Sequence, residues 1–378
     1  MLFIILGITI LYVSLIGSFV FGFDKVTPFQ MTDVEPKRKF SVVVPFRNES
    51  KNLPALLNSF ENLNYRKEHF ELLFINDASN DDSETVITSF FKKHKRASQF
   101  NFRILQNVRQ SNSPKKDAIT LAVDSSKFDW IVTTDADCHV PKFWLDVLDA
   151  FIQHRDCDAV VMPVGYNELT TFLKRFQALD ILSLQGSTIG AFGIGNPFMC
   201  NGANFAYKKA LFKKVNGFEN NNHVASGDDI FLLEKFLKLK NHKVDYLKNE
   251  KVLVLTKPQA TIKLLVAQRK RWAAKTGGYG NLFGKLIAIT VFMMNGALVC
   301  SPLLLFAGFI TLKTLLYFWL IKVAIDFLLL FKTSRFIEQE ALLLSYLWSS
   351  LFYPFFAVYI VVASLFSNYK WKGRSYKR

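Results

Sequence analysis

Apolar residues gather at the two ends of the chain, and between the ends they alternate with polar ones. Residues 2–22 (LFIILGITILYVSLIGSFVFG) hold no charged side chain. As a helix that run is long enough to span a bilayer. A cleaved signal peptide accounts for it less well, because no basic segment leads into it and the apolar stretch is longer than such peptides carry. Three further spans are expected near 286–310, 312–331 and 342–366. Lys322 and Asp326 fall within the second of these, four positions apart, so a helix puts them on one face as a pair.

Between about 40 and 165 short β-rich runs alternate with segments of helical spacing. Phe40–Pro45, Phe70–Asn76, Phe102–Leu105, Trp130–Thr134 and Asp158–Pro163 are expected strands. Asn52–Leu63, a segment starting at Asp82 as N-cap, Lys115–Val123 and a segment opened by Pro141 are expected helices. Such alternation implies an α/β fold with a mostly parallel sheet and helices on both faces. Ligands of these sheets bind at the carboxyl ends of the strands. Asp77 follows the second strand, and Asp135 and Asp137 follow the fourth, so all three share that edge. Two carboxylates one residue apart repel unless a cation lies beside them.

Downstream, Ser226-Gly227 leads into Asp228-Asp229 at an expected helix N-terminus. Capping explains an isolated acidic pair there, but an acid-rimmed sheet makes these residues candidates for the same site. Gln268, Arg271 and Trp272, in AQRKRWAAKTGGYG, are spaced i, i+3, i+4 and share one helix face. A helix lying on a membrane surface would place Arg269 and Lys270 on lipid headgroups. It explains the Gln–Arg–Trp face less well, since a Trp beside a guanidinium suits stacking and diphosphate binding.

Charge changes the picture in one respect. The 378 residues carry a net charge of +16, with basic runs such as Lys92-Lys93-His94-Lys95-Arg96 and the spaced set Lys235, Lys238, Lys240 and Lys243. Nucleic acid is one partner for such runs. With several spans, attraction to an anionic cytoplasmic leaflet is the better account, and a solvated face is simpler still for any single run. Cys138, Cys157, Cys200 and Cys300 form no CxxC pair and no metal spacing, which suits a reducing compartment.

The segments VVVPFRNE, FINDASND, TTDADC, NGANFAY, GDD and QRKRW occur in that order over residues 40–275. In that order they resemble the membrane-integrated family 2 glycosyltransferases, the group that includes cellulose, chitin and hyaluronan synthases and ceramide glucosyltransferase. The resemblance implies a GT-A-like α/β fold and an inverting transfer of sugar from a nucleotide-sugar donor. It implies that Asp77 contacts the donor nucleoside, that Asp135 faces the nucleotide and that Asp137 holds a divalent metal, Mg²⁺ or Mn²⁺. By the same resemblance Asp229 is the catalytic base, and Gln268, Arg271 and Trp272 form a donor- and acceptor-side clamp. Asp228 stands where the family more often has Glu. Lys115 matches a donor-binding lysine of a G-K-x-x-A element by its distance from Ala118, with Pro114 in place of the glycine.

The expected organisation is an N-terminal anchor (1–23), a cytoplasmic catalytic domain (24–285), a C-terminal membrane region of about three helices (286–367) and a basic tail (368–378). The expected product is a glycosylated membrane lipid or glycan. Three C-terminal spans are few for a translocation channel, which favours a lipid or short glycan over a processive polysaccharide unless a partner subunit supplies the export path. A nucleotide polymerase, suggested by SGDD, conflicts with the spans and with QRKRW. A non-enzymatic membrane scaffold conflicts with the full set of acids. A cytosolic donor and three further spans would put the tail outside, whereas Lys370, Lys372, Arg374, Lys377 and Arg378 favour the cytoplasm. An interfacial or re-entrant 286–310 would reconcile the two.

Overall fold

A computed structural model describes the chain apart from Met1, Thr32, Asp33, Lys95, His223, Ala225 and residues 275–279, 367–368, 372–373 and 377–378. Lys95 of the basic run and Lys372, Lys377 and Arg378 of the tail thus lie outside the described residues. The chain forms two compact units.

The first unit comprises Met1–Thr27, Glu168–Phe198 and Pro258–Arg378. Four of its helical segments are long and apolar enough to cross a membrane: Leu2–Lys25, Leu282–Phe306, Leu312–Phe336 and Glu340–Leu365. Phe3, Phe306 and Phe366 are more than four-fifths exposed (87%, 88% and 84%), as side chains facing lipid would be. Lys322 and Asp326 do pair, at 2.9 Å, and the Tyr12 hydroxyl donates to the same carboxylate at 2.7 Å. Partnering of this kind is what makes charges tolerable among apolar helices.

The helix Phe172–Gly193 has no counterpart in the expected elements. Buried residues lie all round it, so no single apolar stripe announces it. It packs on Leu2–Lys25 backbone to backbone. A Cβ on Gly190 would sit 2.4 Å from the Phe19 carbonyl oxygen, and one on Gly193 would sit 1.8 Å from that of Gly22. Glycine is therefore required at both positions, as in close helix pairs of membrane proteins.

The second unit, Pro28–Asn167 with Met199–Lys257, holds the sheet. Its strands are β1 (Phe40–Phe46), β2 (Phe70–Asn76), β3 (Asn101–Gln106), β4 (Trp130–Thr133), β5 (Ala159–Val161), β6 (Val164–Tyr166), β7 (Phe205–Lys208), β8 (Val244–Tyr246) and β9 (Val254–Thr256). Seven make one sheet in the order β3-β2-β1-β4-β7-β5-β8, and β6 pairs with β9 apart from it. β3, β2, β1 and β4 are parallel, while β7 runs antiparallel to β4 and β5. FELLFIN is buried along its whole length because both faces are covered. Leu56, Leu57 and Phe60 of helix Leu53–Glu61, Phe91 of Ser83–Lys93 and Trp144 and Leu148 of Trp144–Arg155 meet Val42, Val44, Leu72, Phe74 and Val132 in one core. Helix Pro114–Ser125 also packs against β1 and β2.

One expected helix start shifts, and a second keeps its place but is capped by a different side chain. Pro141 does not open a helix. The bridge between His139 and Leu255 keeps the chain extended there, the Pro141 carbonyl accepts the Trp144 N–H at 3.1 Å, and the helix begins at Trp144. Asp82 stands at the N-cap of Ser83–Lys93 but makes no side-chain cap bond. Asp81 serves instead, accepting the Ser83 N–H at 3.1 Å and the Ser50 N–H at 3.0 Å. Burial works against ionisation of Asp81, but hydrogen bonds from Ser83 and Ser50 outweigh it and lower its pKa to about 2.

Asn204 joins the layers. It is fully buried, donates to the carbonyls of Pro163 (2.7 Å) and Val252 (2.8 Å), and accepts from the Trp144 indole (2.9 Å). Asn204→Ala leaves all three groups without that partner, an expected loss of about 3 kcal/mol. The check is the thermal midpoint of full-length protein in detergent; a midpoint equal to the parent's would show that these bonds contribute little.

Candidate functional site

Parallel β3, β2, β1 and β4 put their carboxyl ends on one rim, and the chain leaves β1 towards β2 and β3 before returning on its other side as β4. In open α/β sheets such a reversal of strand order is where ligands bind, at the carboxyl edge. The Asp77 N–H donates to the Phe46 carbonyl (2.9 Å) and the Thr134 N–H to the Val43 carbonyl (3.1 Å), which fixes both chain exits. Because β7 is antiparallel to β4, it starts at this same rim, preceded by the tight turn Gly202–Asn204. The Thr133 hydroxyl, at the end of β4, donates to the Gly202 carbonyl at 2.7 Å and ties the two strand ends together.

Lys115 is the centre of the charge cluster. Its ammonium lies 2.7 Å from Asp135 and 3.1 Å from Asp228, so it bridges the loop after β4 and the start of helix Asp228–Leu237. Burial alone would lower the pKa of Lys115, but Asp135, Asp228 and Asp229 outweigh it and hold the ammonium above the ordinary lysine range. The cation that the acid-rich edge demanded is therefore, in part, a residue of the chain itself. Asp229 accepts the Gly202 N–H at 3.2 Å and the Ile230 N–H of its own helix at 2.8 Å. A Cβ on Gly202 would come within 2.8 Å of an Asp228 carboxylate oxygen and 3.6 Å of the Lys115 ammonium, so a side chain there would displace the Asp228 carboxylate from its place beside Lys115. Gly227 turns the chain into the helix at φ +83°, a left-handed conformation that costs glycine little.

Asp77 is buried at the end of β2. It accepts from the Arg109 guanidinium and the Asn107 amide, each at 3.1 Å, and Arg47 donates to its carbonyl at 2.6 Å. The Asn107 amide also donates to the carbonyl of Pro114, beside Lys115, at 3.0 Å. Hydrogen bonds thus connect Asp77 to the helix that carries Lys115. Cys138 is inert packing: burial first, then Asp137 and Asp135, push its thiol pKa up.

The structure brings Asp77, Lys115, Asp135, Asp137, Asp228 and Asp229 into the second unit. Gln268, Arg271 and Trp272 lie in the first, on helix Ile262–Ala274, at the expected shared-face spacing. Arg269 does not fit a headgroup contact. It is 6% exposed, pairs with Asp180 at 2.7 Å and lies over the Trp272 ring, 4.1 Å from its centre. Gly202 and Arg47 lie inside the segments NGANFAY and VVVPFRNE but had no individual role from the sequence; Asn107 and Arg109 sit in a polar loop that gave no signal.

The donor set suits a hard cation. Asp135 and Asp137 flank buried Ala136 and are themselves partly exposed, and they offer oxygen atoms alone. Among the described residues no group of three or more His, Cys, Asp or Glu side chains forms a metal site. Mg²⁺ and Mn²⁺ need no such cage where substrate phosphates complete their coordination. The residues present therefore fit an ion that arrives with a phosphorylated ligand.

Known proteins resemble this chain in sequence and in fold. Residues 41–215 match the family model described as "Glycosyl transferase family 2", and residues 130–369 match "Glycosyl transferase family group 2". The chain is similar to the poly(ribitol-phosphate) beta-N-acetylglucosaminyltransferase TarS of Staphylococcus aureus, at 27% identity over 33% of this chain and 21% of that protein. It is similar to the poly-beta-1,6-N-acetyl-D-glucosamine synthase of Staphylococcus epidermidis, at 23% identity over 68% of this chain and 61% of that one. The matched segments thus span only a fifth to three-fifths of these relatives. In fold it is similar to a mannosyltransferase, PcManGT, of Pyrobaculum calidifontis, solved with GDP-Man and Mn²⁺. The TM-score is 0.57 and the identity 16%, over 92% of this chain and 99% of that one.

Lys115→Met leaves Asp135 and Asp228 facing one another, and its expected cost is about 2 kcal/mol after allowance for partial exposure. Asp228→Asn on that background should recover part of the loss in thermal midpoint. A folded-state pKa raised above the unfolded value means this contribution is fully present below about pH 10.4 and lost only as pH climbs through the higher folded value. The gap in midpoint between parent and variant should therefore be constant across the neutral range as far as Lys115 is concerned.

Proposed function

The chain belongs to glycosyl transferase family group 2, and from that premise we propose that it moves a sugar from a nucleotide-sugar donor to a membrane lipid or glycan acceptor. The observation that carries the proposal is the cluster at the carboxyl rim, where Asp229 lies beside the Lys115–Asp135–Asp228 ion cluster. Asp229 is the base. It takes the proton of the acceptor hydroxyl as that oxygen attacks the anomeric carbon, and the nucleoside diphosphate leaves with the bonding pair. One displacement inverts the centre. Backbone N–H donors at Gly202 and Ile230 fix the orientation of the carboxylate.

Asp77, with Arg109 and Asn107 orienting it, binds the nucleoside portion of the donor; Asp135 faces the nucleotide. Asp137 would hold the divalent ion, Mg²⁺ or Mn²⁺, which supplies charge stabilisation to the leaving diphosphate. A diphosphate entering the rim competes with Asp135 and Asp228 for the Lys115 ammonium, which makes Lys115 a donor-binding residue. Gln268, Arg271 and Trp272 are assigned to donor and acceptor binding on the family resemblance. The catalytic portion, residues 24–285, is placed in the cytoplasm, where nucleotide sugars are, with the apolar helices in the membrane.

A second reading, a processive polysaccharide synthase, is favoured by the match to the poly-beta-1,6-N-acetyl-D-glucosamine synthase, which extends over 268 residues. Such a synthase would need a partner subunit or an oligomer to export its product. Incubation with radiolabelled UDP-N-acetylglucosamine or GDP-mannose separates the readings, since a ladder of rising length is a polymerase product and a single lipid-soluble band is not.

Asp229→Asn is expected to lower transfer at least about a hundredfold with the thermal shift produced by donor retained; full activity in this variant would remove Asp229 as the base. Chelation with EDTA is expected to abolish both turnover and the donor-induced thermal shift, and Mn²⁺ to restore them. Turnover that persists in EDTA would refute the metal assignment.

A further inference from the structure

Arg269 and Asp180 form a buried ion pair inside the first unit that the proposed chemistry does not use. Their side chains are 7% and 8% exposed, and the Arg269 Nε to Asp180 Oδ2 distance is 2.7 Å. A buried pair is costly to desolvate, so simple helix packing would be served as well by apolar residues of similar size. The surroundings of the pair suggest what it is for.

Arg269 contacts two of the three residues on the Gln–Arg–Trp face. One guanidinium nitrogen donates to the Gln268 side-chain oxygen at 2.7 Å, and the guanidinium carbon lies over the Trp272 ring, 4.1 Å from its centre. Asp180 holds the other side of the guanidinium, and its second oxygen accepts from the Tyr353 hydroxyl at 3.2 Å. Three turns are thereby joined: helix Phe172–Gly193 through Asp180, helix Ile262–Ala274 through Arg269 and helix Tyr346–Leu365 through Tyr353. A second anchor lies one turn earlier. Gln177, i−3 from Asp180, donates to the Gln259 carbonyl at 2.9 Å and accepts the Gln259 N–H at 2.8 Å, just before the helix begins. Helix Ile262–Ala274 is thus fixed both at its entry and near its end by one face of Phe172–Gly193.

We propose that Asp180, acting through Arg269, is a positioning residue that sets the rotamers of Gln268 and Trp272 and so the donor-binding competence of the Gln268–Arg271–Trp272 face. The proposal rests on the binding role given to that face above. The arrangement extends into the apolar helices. The Lys322 ammonium lies 5.3 Å from the centre of the Tyr353 ring and pairs with Asp326, which accepts from Tyr12. Side chains of four helices therefore converge, directly or in relay, on the residue that orients Arg269.

The test reads position and activity separately. Full-length protein carrying 5-fluorotryptophan reports its six tryptophans by fluorine NMR, and Trp272→Phe assigns one signal to Trp272. Tyr353→Phe, which removes one hydroxyl, is expected to shift the Trp272 signal. Asp180→Asn is expected to shift it further, and Asp180→Glu to return it towards the parent position. In transfer from UDP-N-acetylglucosamine or GDP-mannose, whichever the parent consumes, Asp180→Asn should raise the donor KM about tenfold with a smaller change in kcat, as misplacement of a binding group does. Asp180→Glu should recover most of it. An unmoved Trp272 signal in Asp180→Asn overturns the proposal, as does a moved signal with KM and kcat unchanged. Tyr353→Phe keeps the positional test alive should Asp180→Asn fail to fold. Asp229→Asn is the control. If it too transfers sugar at the parent's rate, the catalytic reading fails by itself, and the fluorine signals still decide whether Asp180 orients Trp272.

Discussion

Like charges crowded at one sheet edge must be neutralised or they unfold it, and the bridge from Lys115 to Asp135 and Asp228 is how this chain meets that constraint. The rest of the site follows from it. Helix Pro114–Ser125 has to present Lys115 at the rim, so its first residue is tied to Asp77 through Asn107. Helix Asp228–Leu237 has to begin at the same point, which the left-handed Gly227 allows. Both carboxylates and the ammonium need room, which Gly202 leaves by having no side chain. A lysine suits such a bridge. Its charge is single and compact on a flexible stem, so one ammonium reaches both carboxylates.

The sheet and its acid-bearing exits were legible because their signals are local. FELLFIN and FSVVVP are short apolar runs closed by polar residues, and their ends locate Asp77 and the rim directly. GDD and QRKRW fell on helices because spacing within a helix is also local. What was not legible depends on chain segments far apart in sequence. Gly202 matters because of Asp228, Asp229 and Lys115. Arg269 looked like a surface cation because four of five residues in QRKRW are polar or charged, and its buried partner lies 89 residues away. Helix Phe172–Gly193 escaped notice because glycines and polar residues interrupt an apolar pattern that has no preferred face.

Pro141 and Asp82 show a narrower limit. Each is a good helix-start residue by type, yet a bridge to Leu255 delays the first helix and Asp81 does the capping at the second. Propensity named the neighbourhood in both cases, and hydrogen-bond partners chose the residue.

The two units are interleaved along the chain: it leaves the sheet after Asn167 and re-enters it at Met199. No pair of cuts at the ends of the apolar helices can release the sheet as an independent piece. An excerpt beginning after Lys25 and stopping before Leu282 would still carry Phe172–Gly193 and would strip it of the Leu2–Lys25 backbone that Gly190 and Gly193 are shaped to receive. The glycines that let two helices touch would then be an open apolar groove in water. Solubility by truncation is closed to this architecture, and a soluble form would have to be engineered by replacing the whole Glu168–Phe198 excursion with a short connection between β6 and β7.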